Sequence, residues 1–196
     1  MLQIGEDVKI PESGVLLELL ADLSSRSPDM PSLLPEDAVA RAQQRYFIER
    51  FKELITPAFY ALVYKQDAAA KEKLLNGLRE VQTLMTKAPG KFFASDEQPQ
   101  IADLAVIPHL ARLLVLAREP DAAELMSPEL AQAIASSDEF KPTREYADLM
   151  MARPSFKVRI PLKRGFFADC TLQATFDKEY ILSKTRERIA AARASA

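Results

Sequence analysis

Cys170 and His109 are the only cysteine and the only histidine in 196 residues. One thiol cannot form an intrachain disulfide, and one imidazole without a cysteine cluster does not make a zinc site. Cys170 lies in the run Phe166-Phe167-Ala168-Asp169-Cys170-Thr171, with Lys163 and Arg164 nearby in sequence. Positive charge favours a thiolate, but the simpler role for Cys170 is a small apolar side chain in a C-terminal segment. His109 follows Pro108 inside an apolar run and reads as a partly buried helical histidine. Glu12 and Ser13 stand where a helix should begin. A serine hydroxyl, first-turn amides and the positive end of a helix dipole together suit a carboxylate ligand. Tyr46 and Arg50 stand one helical turn apart, and a solvated or interdomain face accounts for both.

These residues need elements to hold them. Leu2, Ile4, Val8 and Ile10 alternate around Gly5-Glu6-Asp7, which predicts a short β-hairpin. Ser13 is a plausible N-cap, and Val15, Leu16, Leu19, Leu20 and Leu23 follow at helical spacing. Residues 24–36 are rich in Pro and Ser and read as a linker. From Asp37 to about Lys65 one long helix is expected, kinked at Pro57. A second follows at about Asp67–Lys87, and Ala88–Gln100 reads as a loop. Residues 101–117 are apolar on nearly every side, as the centre of a bundle requires. Shorter helices are expected at 127–136 and 143–152, an irregular stretch at 157–175, and a final helix at 177–192.

Bulk composition narrows the function classes. Hydrophobic residues make up 48% and charged residues 28%, with a net charge of −2. That balance is ordinary for a globular protein and gives no long-range attraction to nucleic acid or to an anionic membrane. No apolar run reaches the roughly 20 residues that span a bilayer. Residues 1–7 have neither the basic start nor the apolar core of a signal peptide. Cytoplasm is the expected compartment, and no metal is expected.

Taken in order, these segments resemble the cytosolic glutathione transferase superfamily, with a general look nearest its omega-like and fungal branches. Leu2 to Ser13 is similar to the strand–turn–strand–Glu–Ser run that closes that family's thioredoxin-like domain. Leu33-Leu34-Pro35 followed by Arg41-Ala42 resembles the entry into its first long helix. Ile101-Ala102-Asp103-Leu104 with Pro108 resembles its buried central helix, and Ala152-Arg153-Pro154-Ser155-Phe156 the close of its later helices. The resemblance implies a mainly α fold: a transferase-type C-terminal helical bundle behind a β-hairpin and helix left from a thioredoxin-like domain. The expected boundaries are 1–27 for that remnant, 28–36 for the linker and 37–196 for the all-helical domain.

The resemblance also implies roles. Glutathione would be the co-substrate, its γ-glutamyl end held by Glu12 and Ser13. Tyr46 and Arg50 would line the site for a hydrophobic small molecule. Asp103 would be structural, as the acidic half of a capping box whose usual Ser or Thr is Gln100 here. An intact member would pass glutathione to electrophiles or reduce its mixed disulfides. Met1-Leu2 resembles the residues just after the family's Val-Pro, so the expectation is a chain without the thiol-activating segment. A non-catalytic binding or dimerisation module is the alternative. A hairpin with no sheet to join has open edges, so a homodimer or looser self-association is expected.

Overall fold

The computed structural model describes residues 2–88, 90–157 and 178–194. Cys170 lies outside the described residues. So does the stretch expected to be irregular, apart from Lys157. Strands β1 (Leu2–Ile4) and β2 (Val8–Ile10) pair antiparallel, with Leu2 opposite Ile10 and Ile4 opposite Val8. All four apolar residues therefore share one face of the hairpin. Gly5 turns the chain at φ +63°, a conformation few other residues adopt without strain. The Gln3 amide donates to the carbonyl of Gly5 at 3.1 Å and steadies the turn.

The helices follow in chain order: α1 (Ser13–Ser25), α2 (Ala38–Phe59), α3 (Ala70–Lys87), α4 (Ile101–Arg118), α5 (Pro128–Ser136), α6 (Lys141–Ala152), α7 (Pro154–Lys157) and α8 (Lys178–Ala194). The sequence predicted all but α7. The long helix expected from Asp37 to Lys65 instead ends as α-helix at Phe59 and continues as a π-helical turn, Tyr60–Tyr64. Pro57 has no N–H to return to the turn behind it, and the π register begins three residues later. Asp37 caps α2 by accepting the Ala40 N–H at 2.7 Å.

The chain forms two compact units. The first comprises the described residues up to Arg50 together with Lys87–Val106. Its buried side chains include Phe47, Ile48, Phe92, Phe93, Ile101 and Val106, and the Phe47 and Phe93 rings stack with centroids 4.2 Å apart. The Pro/Ser-rich stretch is tied into this unit. Ser24 Oγ accepts the Leu33 N–H at 3.1 Å, and the Leu33 carbonyl accepts the Ile101 N–H at 2.9 Å. By contrast, Leu2, Ile4 and Val8 of the hairpin and Val15, Leu20 and Leu23 of α1 remain exposed.

The second unit comprises the described residues of Phe51–Thr86 and those from Ile107 onward. Phe51, Ile55, Leu74, Leu78, Leu110, Leu113, Leu114, Leu130 and Phe140 fill its interior. Gly77 of α3 lets α2 come close. A Cβ at Gly77 would stand 3.2 Å from the Leu54 carbonyl oxygen and 3.1 Å from Ile55 Cδ1. Arg79 of α3 pairs with Glu139 at 2.5 Å, and Gln82 Oε1 accepts the Thr143 hydroxyl at 2.9 Å, tying α3 to the start of α6. None of the helices among the described residues is long and apolar enough to cross a membrane.

Candidate functional site

Glu12 and Ser13 stand together at the start of α1, both exposed. Ser13 is not the N-cap that the sequence predicted. Glu12 occupies that place, with extended backbone (φ −85°, ψ 119°) and its carbonyl accepting the Leu16 N–H at 3.0 Å, while its side chain makes no cap bond. The helix therefore starts one residue earlier than a serine cap would set it, and Ser13 is the first helical residue. Its hydroxyl and the amides of the first turn remain at a helix N-terminus, the end that favours an anion.

Tyr46 and Arg50 lie one turn apart on α2. Tyr46 is 58% exposed and Arg50 half-buried. Arg45, beside Tyr46, pairs with Glu18 of α1 at 2.9 Å. That ion pair joins the helix carrying Glu12 and Ser13 to the helix carrying Tyr46 and Arg50.

Asp103 is fully buried at the start of α4. Its Oδ2 accepts the Gln100 N–H at 2.8 Å, which is the acidic half of a capping box. Its Oδ1 accepts the Phe93 N–H, also at 2.8 Å, and so ties the preceding loop to the helix. The Gln100 side chain does not cap its own helix. It accepts from Gln44 Nε2 instead, and Gln44 Oε1 takes the Ala102 N–H at 3.4 Å. A glutamine 56 residues upstream thus supplies the oxygen that Gln100 does not.

A second cluster lies in the other unit, and sequence reasoning missed it. Arg188 of α8 donates to the Tyr64 hydroxyl at 3.3 Å and lies over the Tyr64 ring, 5.5 Å from its centroid. Tyr64 is buried, and its ring meets Phe59 and Tyr60 edge-on at 5.9 and 5.2 Å. Arg112 projects from α4, with a long bond to the Pro108 carbonyl at 3.4 Å. Burial holds the Arg112 guanidinium below the usual arginine range. Tyr64 and Tyr180 oppose that shift, and the positive charge of Arg188 adds to it. His109, one turn earlier, is half-buried against Phe51, ring centroids 5.8 Å apart. Burial first, then Arg112 and Lys52, hold it below the ordinary histidine value.

Known proteins of similar build share this order of hairpin, capped helix and helical bundle. A crystal structure of glutathione transferase Omega 1C from Trametes versicolor matches 93% of this chain at a TM-score of 0.67, with 30% identity and 67% of its own length covered. The chain belongs to the glutathione transferase superfamily. Glutathione transferase Omega 2S of the same fungus, solved in complex with 2,4-dihydroxybenzophenone, is 26% identical at a TM-score of 0.63, over 79% of this chain and 63% of that one. Among curated proteins, a probable glutathione transferase omega-2 of Caenorhabditis elegans is 27% identical over 103 residues, 52% of this chain. This transferase-family chain spans only 39% of that relative's length. No family model matches the sequence.

Proposed function

We propose that this chain contributes the helical ligand-binding part of an Omega-type glutathione transferase. In that reading it takes part in glutathione transfer to electrophilic small molecules, or in thiol transfer from mixed disulfides of glutathione. The observation that carries the reading is the Glu12-Ser13 pair at the N-terminus of α1, directly behind the hairpin, within a fold that follows Omega 1C over 93% of the chain. The γ-glutamyl carboxylate of glutathione would sit on the Ser13 hydroxyl and the first-turn amides, with Glu12 facing its ammonium group. Tyr46 and Arg50 would line the acceptor side. Because a relative binds a hydroxylated benzophenone, the proposed acceptor class is a hydroxylated aromatic. Glu12 and Ser13 bind and orient and do not activate a thiol. The catalytic step is therefore proposed of the protein as long as its relatives. Its proposed compartment is the cytoplasm.

Calorimetric titration with reduced glutathione tests this, with Ser13→Ala as control. Binding in the millimolar range or tighter that the substitution abolishes supports a working site. If no heat is detected, the second reading applies, a helical binding or dimerisation module. The exposed Leu2, Ile4, Val8, Leu20 and Leu23 favour that second reading and a homodimer with it.

A further inference from the structure

We propose that Arg45 is a positioning residue for the glutathione seat: by clamping Glu18 it fixes the N-terminal half of α1 and offsets the acidic charge that opposes an anion at Ser13. This role rests on the transferase reading, which assigns that seat to Glu12 and Ser13.

Helix α1 is anchored unevenly. Its C-terminal half is buried through Ala21 and Ser24, and the Ser24 hydroxyl oxygen accepts the Leu33 N–H at 3.1 Å. Residues 12–15, by contrast, are exposed. A helix end left in water frays, and a frayed end cannot hold its first-turn amides on a ligand. Glu18 stands five residues beyond Ser13, about 7.5 Å along the axis at about 1.5 Å per residue. Arg45 Nε and Nη2 donate to the two oxygens of its carboxylate at 3.0 and 2.9 Å. A planar fork on a carboxylate fixes direction as well as distance, so the helix cannot roll about this contact as it could about a single bond. Charge acts in the same sense. From Glu12 to Ser25 the chain carries the acids Glu12, Glu18 and Asp22 and no base. Glu18 and Asp22 share one face, a turn apart. An anion at Ser13 lies, along the axis, within about one Debye length of Glu18, roughly 8 Å at physiological ionic strength. The Arg45 guanidinium is charged at every physiological pH and cancels that repulsion where it arises. Exposed ion pairs add little to global stability, so the effect of this one belongs to ligand affinity and not to the unfolding midpoint.

The test titrates reduced glutathione against the whole chain and four variants: Arg45→Gln, Arg45→Lys, Glu18→Gln, and the charge exchange Glu18→Arg with Arg45→Glu. Both side chains are partly exposed, at 46% and 38%, so the variants should fold, and urea midpoints check this. Arg45→Gln should weaken binding about fivefold, between the water and protein-surface limits for one unit charge at about 8 Å. Arg45→Lys should keep part of the affinity, having the charge without the fork. Glu18→Gln should lose less than Arg45→Gln, because the acid goes together with the clamp. The charge exchange should bind at least as well as the natural chain. Between about 0.01 and about 1 M salt the Debye length falls from about 30 to about 3 Å, so the deficit of Arg45→Gln relative to the natural chain should narrow. A purely structural defect would not respond in that way. Natural affinity in Arg45→Gln, a deficit that salt does not narrow, or a charge exchange as weak as Arg45→Gln would each overturn the role of Arg45. If Ser13→Ala abolishes binding while Arg45→Gln leaves it intact, the transferase reading stands and only this role falls. If the natural chain binds no glutathione, both fall.

Discussion

Gln44 and Gln100 are joined side chain to side chain across 56 residues, and the same Gln44, by accepting the Ala102 N–H, lets helix α2 cap the N-terminus of helix α4. Ala102 and Asp103 are both fully buried there, so every amide of that first turn must find a partner inside the protein. Gln44→Ala strands the Ala102 N–H and takes the donor from Gln100. Urea denaturation should show a loss of about 1–3 kcal/mol. Gln100→Ser offers the helix a cap of its own, so in the Gln44→Ala background it should return about 1 kcal/mol. In the natural background it should return nothing, because it strands Gln44 Nε2. Strictly additive effects of the two substitutions would show that the pair does not act as one device.

Gly77 sets a contest between two terms of known sign. Alanine at an exposed helix position would stabilise by about 1 kcal/mol relative to glycine. Here the added Cβ would press on the Leu54 carbonyl oxygen at 3.2 Å, and that backbone oxygen cannot rotate away. Overpacking of this kind costs about 1–3 kcal/mol, so Gly77→Ala should be neutral to destabilising and Gly77→Leu clearly worse. A raised melting temperature for Gly77→Ala would mean that α2 and α3 separate easily.

His109 should make stability depend on pH just below neutrality. Its folded pKa lies below the unfolded value of 6.5, so it stays neutral in the fold while the unfolded chain takes up a proton. The stability it contributes is complete above pH 6.5 and is lost as pH falls from there through the folded pKa. Glu129, Glu139 and Glu187 are each held below their ordinary value of 4.5 by hydrogen bonds, so they act at lower pH. The urea midpoint should therefore fall between pH 7.5 and 5.5. His109→Phe, which keeps a ring against Phe51, should flatten that fall. Equal slopes for the two proteins would rule His109 out as the source.

Much of this molecule was legible because its signals are local. The register of Leu2, Ile4, Val8 and Ile10 follows from alternation and a three-residue turn. The buried α4 follows from a run that is apolar all round, whereas the role of Asp103 follows from the family resemblance, because Gln100 is not the Ser or Thr of a capping box. What escaped the sequence depends on partners far apart in the chain. Nothing near Gln44 marks it as the cap of a helix 56 residues later. Nothing in a run of charged residues at 184–188 marks Arg188 as the partner of a tyrosine 124 residues upstream. The misplaced cap at Ser13 has another origin. Propensity favours serine over glutamate at an N-cap, but the extended backbone at Glu12 starts the helix one residue sooner.

The crowding of aromatic rings around Tyr64 also gives the protein an optical handle. The chain has no tryptophan and five tyrosines. Tyr60 and Tyr64 belong to this cluster by ring contact, and Tyr180 stands close enough to bear on Arg112. Ring contact thus puts two of the five tyrosines, Tyr60 and Tyr64, in one locality. A chromophore settling beside Tyr60 would quench their ultraviolet emission by energy transfer, so occupancy there can be followed without attaching a label.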